Sequence, residues 1–490
     1  MSLSPSNSDD KSHKPPDRHG LMGQTLRGLR VTTTMTGLKT VVDVCSQLIL
    51  VRLLFPEAFG VLAFLHSTAG FFCYLADWGG MKYIIQKKNL RRSEVNTVFS
   101  TELLVGAILA AIWLVGARGI LHLFEKEYLA TYVWLFAFWI VFERFQLPRS
   151  ILEKEMKFGR SNMAMFMGVL GGSLVSVILA WRGCGVYSLI LGLIFRSMTT
   201  AIFLWAFTPI RPRPGIDSSA VRPYLKFGLP LMLTSLFTFY YWNVDYIIVG
   251  RFLQEELLGY YYIAFKFPHY MLTLQALVST VVYPAFSRTR DDEQLKRGFT
   301  LATKYSGALS LLPCVGVLVL GEGLVRYGLG EKWLPALRPF QIFTCLAAFR
   351  MITVHWYDVY LSKGKTTAMP FLSASNAIGV SLAAYIGSRY FGLFWVAIGV
   401  AVVNVLVILA AIFLILKKIL KVRYLAILTR PLLAAGLTLV ITLGIKNLVQ
   451  LPNQGLDFAV KLLLLILVYM GIYIAIDHRS LRDLLKKAFS

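Results

Sequence analysis

Four cations stand in the middle of long apolar runs: Lys39, Arg196, Lys266 and Arg350. Within hydrocarbon a charge is costly unless it faces protein or water, so these positions mark a polar cavity rather than a lipid-facing surface. At about 1.5 Å of rise per residue, Lys39 lies about 12 Å in from one face. Lys266 lies roughly 13 Å from the opposite face, and Arg196 and Arg350 about 16–18 Å from it. Several basic groups in one cavity suit a multiply charged anion such as a pyrophosphate and repel a cation. These four are the candidate substrate-binding residues.

The runs around them carry further polar side chains at helical spacing. Thr32, Thr36, Lys39, Asp43 and Gln47 fall on one face of a helix. Lys39 and Asp43 are one turn apart, so a buried ion pair and a cavity lining are both open to them. Ser235, Thr238, Trp242 and Asp245 form a second stripe, and Tyr262, Lys266, Tyr270 and Thr273 a third. Facing each other, the three would line one cavity. Asp43, Asp245, Tyr262 and Tyr270 are its candidate lining or coupling groups, with Asp43 the best-placed acid for a proton or sodium ion. Aromatic-rich helices are more often plain packing than sugar contacts, so the tyrosines carry both readings. Deeper in the chain His355 has Asp358 at i+3, whereas His269 has no acid one turn away. A satisfied structural histidine outweighs a proton relay for both.

Other chemistry is set aside. Gly364-Lys365-Thr366 lacks the earlier glycine of a phosphate-binding loop, since Val359 stands there. Asp291-Asp292 sits among Arg288, Arg290 and Lys296 and reads as a solvated charge cluster. Glu102, Asp77, Glu143 and Arg144 lie near span ends, where capping or snorkelling accounts for them. The cysteines Cys45, Cys73, Cys184, Cys314 and Cys345 lie in apolar runs without metal-ligand spacing and read as packing residues. No metal or cofactor is expected.

The elements that position these residues are membrane helices. Of 490 residues 56% are hydrophobic and only 16% charged, well away from a soluble globular composition. Apolar runs of about 20 residues, each able to cross a bilayer, begin near Val31, Ala58, Val98, Tyr128, Met163, Cys184, Phe227, Leu257, Phe299, Pro339, Met369, Leu393, Tyr424 and Leu456. The expected fold is therefore an all-α polytopic membrane protein of about fourteen transmembrane helices, surrounded by membrane lipids. The net charge of +24 falls in small groups between the runs, which is topology rather than a nucleic-acid surface, and no nucleic-acid partner is expected. Alternate loops take most of these charges, for example Lys87/Lys88, Lys154/Lys157, Arg211/Arg213 and Lys417/Lys418, which places both termini in the cytoplasm.

Residues 1–30 read as a disordered cytoplasmic tail. Arg52…Glu57…Gly60 recurs as Arg251…Glu256…Gly259, an offset of 199 residues between helices one and seven. That repeat implies two six-helix bundles, 31–210 and 211–419, with two accessory helices and a cytoplasmic tail over 420–490. The outward loops are too short for the catalytic loop of a membrane glycan polymerase or ligase, so no enzyme is expected.

Leu53-Leu54-Phe55-Pro56-Glu57-Ala58-Phe59-Gly60 resembles a turn of polysaccharide exporters. So do Asp77-Trp78-Gly79-Gly80, Phe227-Gly228-Leu229-Pro230, Asn243-Val244-Asp245, Gly259-Tyr260-Tyr261, Tyr283-Pro284-Ala285-Phe286-Ser287 and Gly330-Glu331-Lys332-Trp333. In order and spacing they resemble the Wzx-type oligosaccharide flippases of the multidrug/oligosaccharidyl-lipid/polysaccharide exporter superfamily, in its lipopolysaccharide and exopolysaccharide branch. The resemblance implies a bacterial inner-membrane protein without a cofactor. It would move a polyprenyl-pyrophosphate-linked oligosaccharide to the outer leaflet by alternating access, alongside a polysaccharide polymerase and a chain-length regulator. A drug/cation antiporter of the same superfamily and a flippase for peptidoglycan lipid precursors are the alternatives.

Overall fold

A computed structural model describes residues 18–288, 291–363, 369–419, 422, 424–448 and 451–489, and every regular element among them is helical. The first half runs α1 (Arg18–Leu53), α2 (Pro56–Leu75), a short α3 (Gly80–Gln86) and α4 (Arg92–Leu123). Next come α5 (Val133–Arg144) with its continuation α6 (Pro148–Lys154), α7 (Phe158–Trp181) and α8 (Val186–Phe207). The second half has α9 (Ser218–Phe252), α10 (Glu255–Arg288), α11 (Asp292–Gly323), and α12 (Leu337–Thr353) continued by α13 (His355–Ser362). It closes with α14 (Met369–Ile386), α15 (Leu393–Ile419), α16 (Tyr424–Leu448) and α17 (Gln454–Phe489).

Sequence sets these ends. Pro56 opens α2 in its first turn, where a missing N–H costs nothing. Asp217 and Asp291 accept from the N–H of Ser219 and Glu293 at 3.0 Å each, capping α9 and α11. Asp291 is thus a cap, and Asp292 pairs with Lys363 at 2.7 Å, a structural use of that acidic pair. Twelve helices or helix runs are long and apolar enough to cross a membrane. α9 and α10, 35 and 34 residues long, are not among these twelve, which stand beside the about fourteen expected. One boundary differs from expectation. α1 begins at Arg18, so helix takes up residues 18–30 of the expected tail; residues 1–17 lie outside the described residues, as does the Gly364-Lys365-Thr366 segment.

In the first half α1 packs on α7, α7 on α8, and α2 on α5 and α8. In the second, α12 packs on α10, α11 and α15, and α14 on α9 and α15. The halves meet chiefly where α2 packs on α10 and on α9. α16 and α17 pack together on α11. A charge cluster that hydropathy conceals anchors them: Asp477 of α17, whose side chain is wholly buried, accepts from Lys304 of α11 at 2.5 Å and from Arg430 of α16 at 2.6 Å. Tyr469 adds a hydrogen bond to the Ala308 carbonyl at 2.6 Å. A buried carboxylate needs both cations to offset its desolvation.

Candidate functional site

The α1 stripe does meet α10. Asp43 accepts from Arg196 of α8 at 3.1 Å through one oxygen and from the Tyr270 hydroxyl of α10 at 2.7 Å through the other. One turn on, Gln47 accepts from Lys266 at 2.7 Å. Lys266 also donates to the Tyr262 hydroxyl at 3.2 Å and lies 5.2 Å from that ring's centroid. Lys39 donates to Asn162 of α7 at 3.2 Å, and Asn162 donates to Thr32 at 3.2 Å. The Lys39–Asp43 ion pair open to the sequence is therefore replaced: a neutral amide serves Lys39, and the Arg196 guanidinium reaches Asp43 from another helix. Arg149 and Arg196 sit close enough to Lys39 to repel it. The Arg196 and Asp43 side chains remain 48% and 26% exposed.

Arg350 and Asp245 sit apart from this cluster. Arg350 of α12 donates to Asn404 of α15 and to the Tyr241 hydroxyl at 3.3 Å, with its guanidinium 5.5 Å from the Trp242 ring centroid. Asp245 is buried and accepts from Tyr261 at 2.7 Å, tying α9 to α10 instead of lining the cavity. The expectation that all three stripes face one another thus holds for α1 and α10, whereas α9 contributes Trp242 to the Arg350 environment. His269 lies beside Trp242 at 5.5 Å between ring centroids and within reach of both Arg350 and Lys266 charges. His355 is fully buried, with Asp358 at 3.0 Å and Ser306 at 2.9 Å, a satisfied core histidine.

Near the span ends, Glu102 accepts from the Gly80 N–H at 2.9 Å and Tyr224 at 3.1 Å, and Arg144 donates to the Cys73 sulfur at 3.3 Å. Asp77 accepts from the Gly79 N–H at 3.0 Å, and Glu143 from Gln146 at 2.9 Å. Glu102 and Asp77 thus hold backbone N–H groups at the start of α3, as capping predicts, whereas Arg144 is buried against Cys73 instead of snorkelling. Asn162, Asn404 and the Asp477 cluster carried no sequence signal, because each gains its role from a helix remote in the chain.

Beyond Asp43 and Lys266 the two halves close on each other at the far end, the end α1 reaches after crossing. Gly60 of α2 lies against the Glu255 backbone, and Gly259 of α10 against that of Pro56. Both contacts follow the 199-residue offset, so the repeat packs on itself reciprocally. A β-carbon at Gly60 would stand 2.7 Å from the Glu255 carbonyl carbon, and one at Gly259 2.6 Å from that of Pro56. Only glycine fits there. The repeat arginines reach across in the same reciprocal way: Arg251 pairs with Glu125 at 2.8 Å, and Arg52 donates to the Gly328 carbonyl at 3.1 Å. Lys126 pairs with Glu255, Lys332 donates to the Arg52 carbonyl at 2.8 Å, and the Trp333 indole donates to that of Val51 at 2.9 Å.

A profile described as "Polysaccharide biosynthesis protein" matches residues 49–338, which spans the repeat, the closure and Lys266. The chain belongs to that family. It is 22% identical over 409 residues to the lipopolysaccharide biosynthesis protein WzxC of Escherichia coli (strain K12), covering 82% of this chain and 83% of that one. It is 21% identical to the teichuronic acid biosynthesis protein TuaB of Bacillus subtilis (strain 168), over 68% and 70% of the two chains. Among solved structures, a lipid II flippase MurJ in an inward closed conformation superposes with a TM-score of 0.75 at 16% identity, covering 92% of this chain and 99% of that one. The last likeness shows the fold of this family member, a multi-pass helical membrane protein.

Proposed function

We propose that this protein is a flippase that carries a polyprenyl-pyrophosphate-linked oligosaccharide from the cytoplasmic to the outer leaflet of the bacterial inner membrane. The observation that carries the proposal is the partly exposed cation set Lys39, Arg196 and Lys266, gathered from α1, α8 and α10 between the two halves with Asp43 as its acid. A pyrophosphate leaving water needs its charge met by fixed cations and hydrogen-bond donors. Both termini are cytoplasmic in this proposal, so the closed end is the outer one and two six-helix bundles rock about the cavity. The relatives named for lipopolysaccharide and teichuronic acid biosynthesis support an envelope glycan as cargo, delivered to a polymerase and a chain-length regulator. The protein acts as a transporter and catalyses no bond change.

Lys266 is the test. In reconstituted vesicles bearing a fluorescent lipid-linked oligosaccharide, Lys266→Ala should lose transfer while the protein inserts at normal levels. Removing a cation from a desolvated, hydrogen-bonded pair costs about 2–5 kcal/mol, and Lys266→Arg should retain part of the activity. Unchanged transfer by stably inserted Lys266→Ala would remove the site, and competition by a cationic drug would remove the anion reading.

A further inference from the structure

Asp43 is the one acid paired with Arg196 among the described residues, and its environment is built for an anion rather than for a carboxylate alone. One oxygen takes the Arg196 guanidinium at 3.1 Å, the other the Tyr270 hydroxyl at 2.7 Å. Guanidinium and phenol are equally the donors that a phosphate oxygen takes. Arg196 belongs to α8 and Tyr270 to α10, so the carboxylate also bridges the two halves directly below the closed end. Arg196 is half exposed and Asp43 partly so, which leaves both open to an entering ligand. Lys266 and Lys39 meanwhile hold, among the described residues, only neutral amides, Gln47 and Asn162, and the Tyr262 hydroxyl.

We propose that Asp43 is a resident anion that keeps Arg196 and Tyr270 in the empty carrier and is displaced by a phosphate of the substrate. This rests on the reading of the cavity as a phosphate-bearing substrate's site. Displacement transfers the Arg196 and Tyr270 donors to the ligand and breaks the Asp43–Tyr270 bridge, so occupancy itself loosens one half from the other. A ligand shifts a conformational equilibrium only through differential contacts with its two states, and the exchange of Tyr270 between Asp43 and phosphate is such a contact. Asp43 therefore lowers the affinity for substrate and makes binding report to the bundle interface.

Inorganic pyrophosphate and polyprenyl pyrophosphate, titrated against the full-length protein in nanodiscs, are the probes. Asp43→Asn keeps the shape and removes the competing charge; its affinity for both should rise about five- to 150-fold, the span of a typical coupling. In protein otherwise wild type, 3-fluorotyrosine at position 270 should lose its carboxylate-bonded fluorine signal on addition of pyrophosphate. Arg196→Gln should weaken binding with Asp43 present or absent. Affinity unchanged or lowered in Asp43→Asn overturns the proposal, and so does a fluorine signal unmoved at saturating pyrophosphate, a readout that stands even where the variant fails to fold. If no form of the protein binds either probe, the reading of the cavity as a phosphate site falls instead, and the two failures are distinguishable.

Discussion

Gly60→Ala puts the closure under a defined load. The added β-carbon would lie 2.7 Å from the Glu255 carbonyl carbon, against 3.4 Å for the nearest ordinary contact. α2 and α10 therefore have to part by at least 0.7 Å (3.4 − 2.7), and further to clear the carbonyl oxygen, which lies closer still. The obstacle is backbone, so no side-chain rotation relieves it. Overpacking of this kind costs about 1–3 kcal/mol, borne only by the closed state, which shifts the open-to-closed ratio roughly 5- to 150-fold. Val51 is fully buried at the closure, where its carbonyl accepts from Trp333 at 2.9 Å. A Val51→Cys protein whose five native cysteines are alanine should react slowly with a membrane-impermeant maleimide from outside, and faster by that factor once Gly60→Ala is added. Gly259→Ala, pressing on Pro56 from the reciprocal side, should act with similar size. Equal labelling in all three proteins would refute the claim that these glycines set the closure.

Asp477→Ala leaves Lys304 without the partner it holds at 2.5 Å; a loss of about 3–5 kcal/mol should lower the melting temperature in detergent and expose α16 and α17 to protease, and an unchanged melt would count against the anchor. Reporter fusions after Lys88, Lys157, Arg213 and Lys418 should all signal cytoplasm and one within Gly328–Lys332 the outside; an outside signal at Lys418 would break the fourteen-span order. The Arg251 guanidinium hydrogen-bonded to Glu125 holds that loop carboxyl below its usual range. Its part in the closure is thus present above the ordinary carboxylate range and lost only as pH falls through the lowered value. Taken relative to a free thiol at each pH, maleimide labelling of the Val51→Cys protein should rise on acidification less with Glu125→Gln than without it, and an equal rise in both would count against the pair.

Much of this arrangement was legible because it is periodic. Lys39, Asp43 and Gln47 share a helix face whatever surrounds them, and so do Tyr262, Lys266 and Tyr270; the contact of α1 with α10 follows from two polar faces needing each other in an apolar medium. Gly60 and Gly259 were visible through a recurring spacing, though their reciprocal contact needed coordinates. Choice of partner was not legible. Sequence offers Asp43 a lysine one turn away, and the structure gives it an arginine 153 residues distant, because bidentate-capable guanidinium suits a shared carboxylate better than a lysine already served by Asn162. Asp245 read as a cavity residue for the same reason. Its stripe is real, yet Tyr261 buries it within its own half. Asp477 was missed because an acid between an apolar run and His478-Arg479 looks like a span end until Lys304 and Arg430 converge on it.

Closure and cavity obey different symmetries, and the contrast bears on the cargo. Shifted by 199 residues, Pro56 and Gly60 fall on Glu255 and Gly259, and the closure contact is reciprocal. The same shift carries Lys39 to Thr238, Asp43 to Trp242 and Gln47 to Tyr246; taken backwards, Lys266 falls on Ser67 and Tyr270 on Phe71. No cavity charge has a charged counterpart. A device that only opens and shuts has no use for that asymmetry, since two equivalent halves can rock on an equivalent contact. A ligand with unlike ends does. The side built from α1, α8 and α10 holds Lys39, Arg196, Lys266 and Asp43, while Trp242 on α9 and Phe71 on α2 are 37% and 44% exposed and present aromatic faces, that of Trp242 beside the Arg350 guanidinium. A diphosphate at one end and neutral sugars at the other match that division, whereas a compact cationic drug meets repulsion on the first side and no carboxylate on the second.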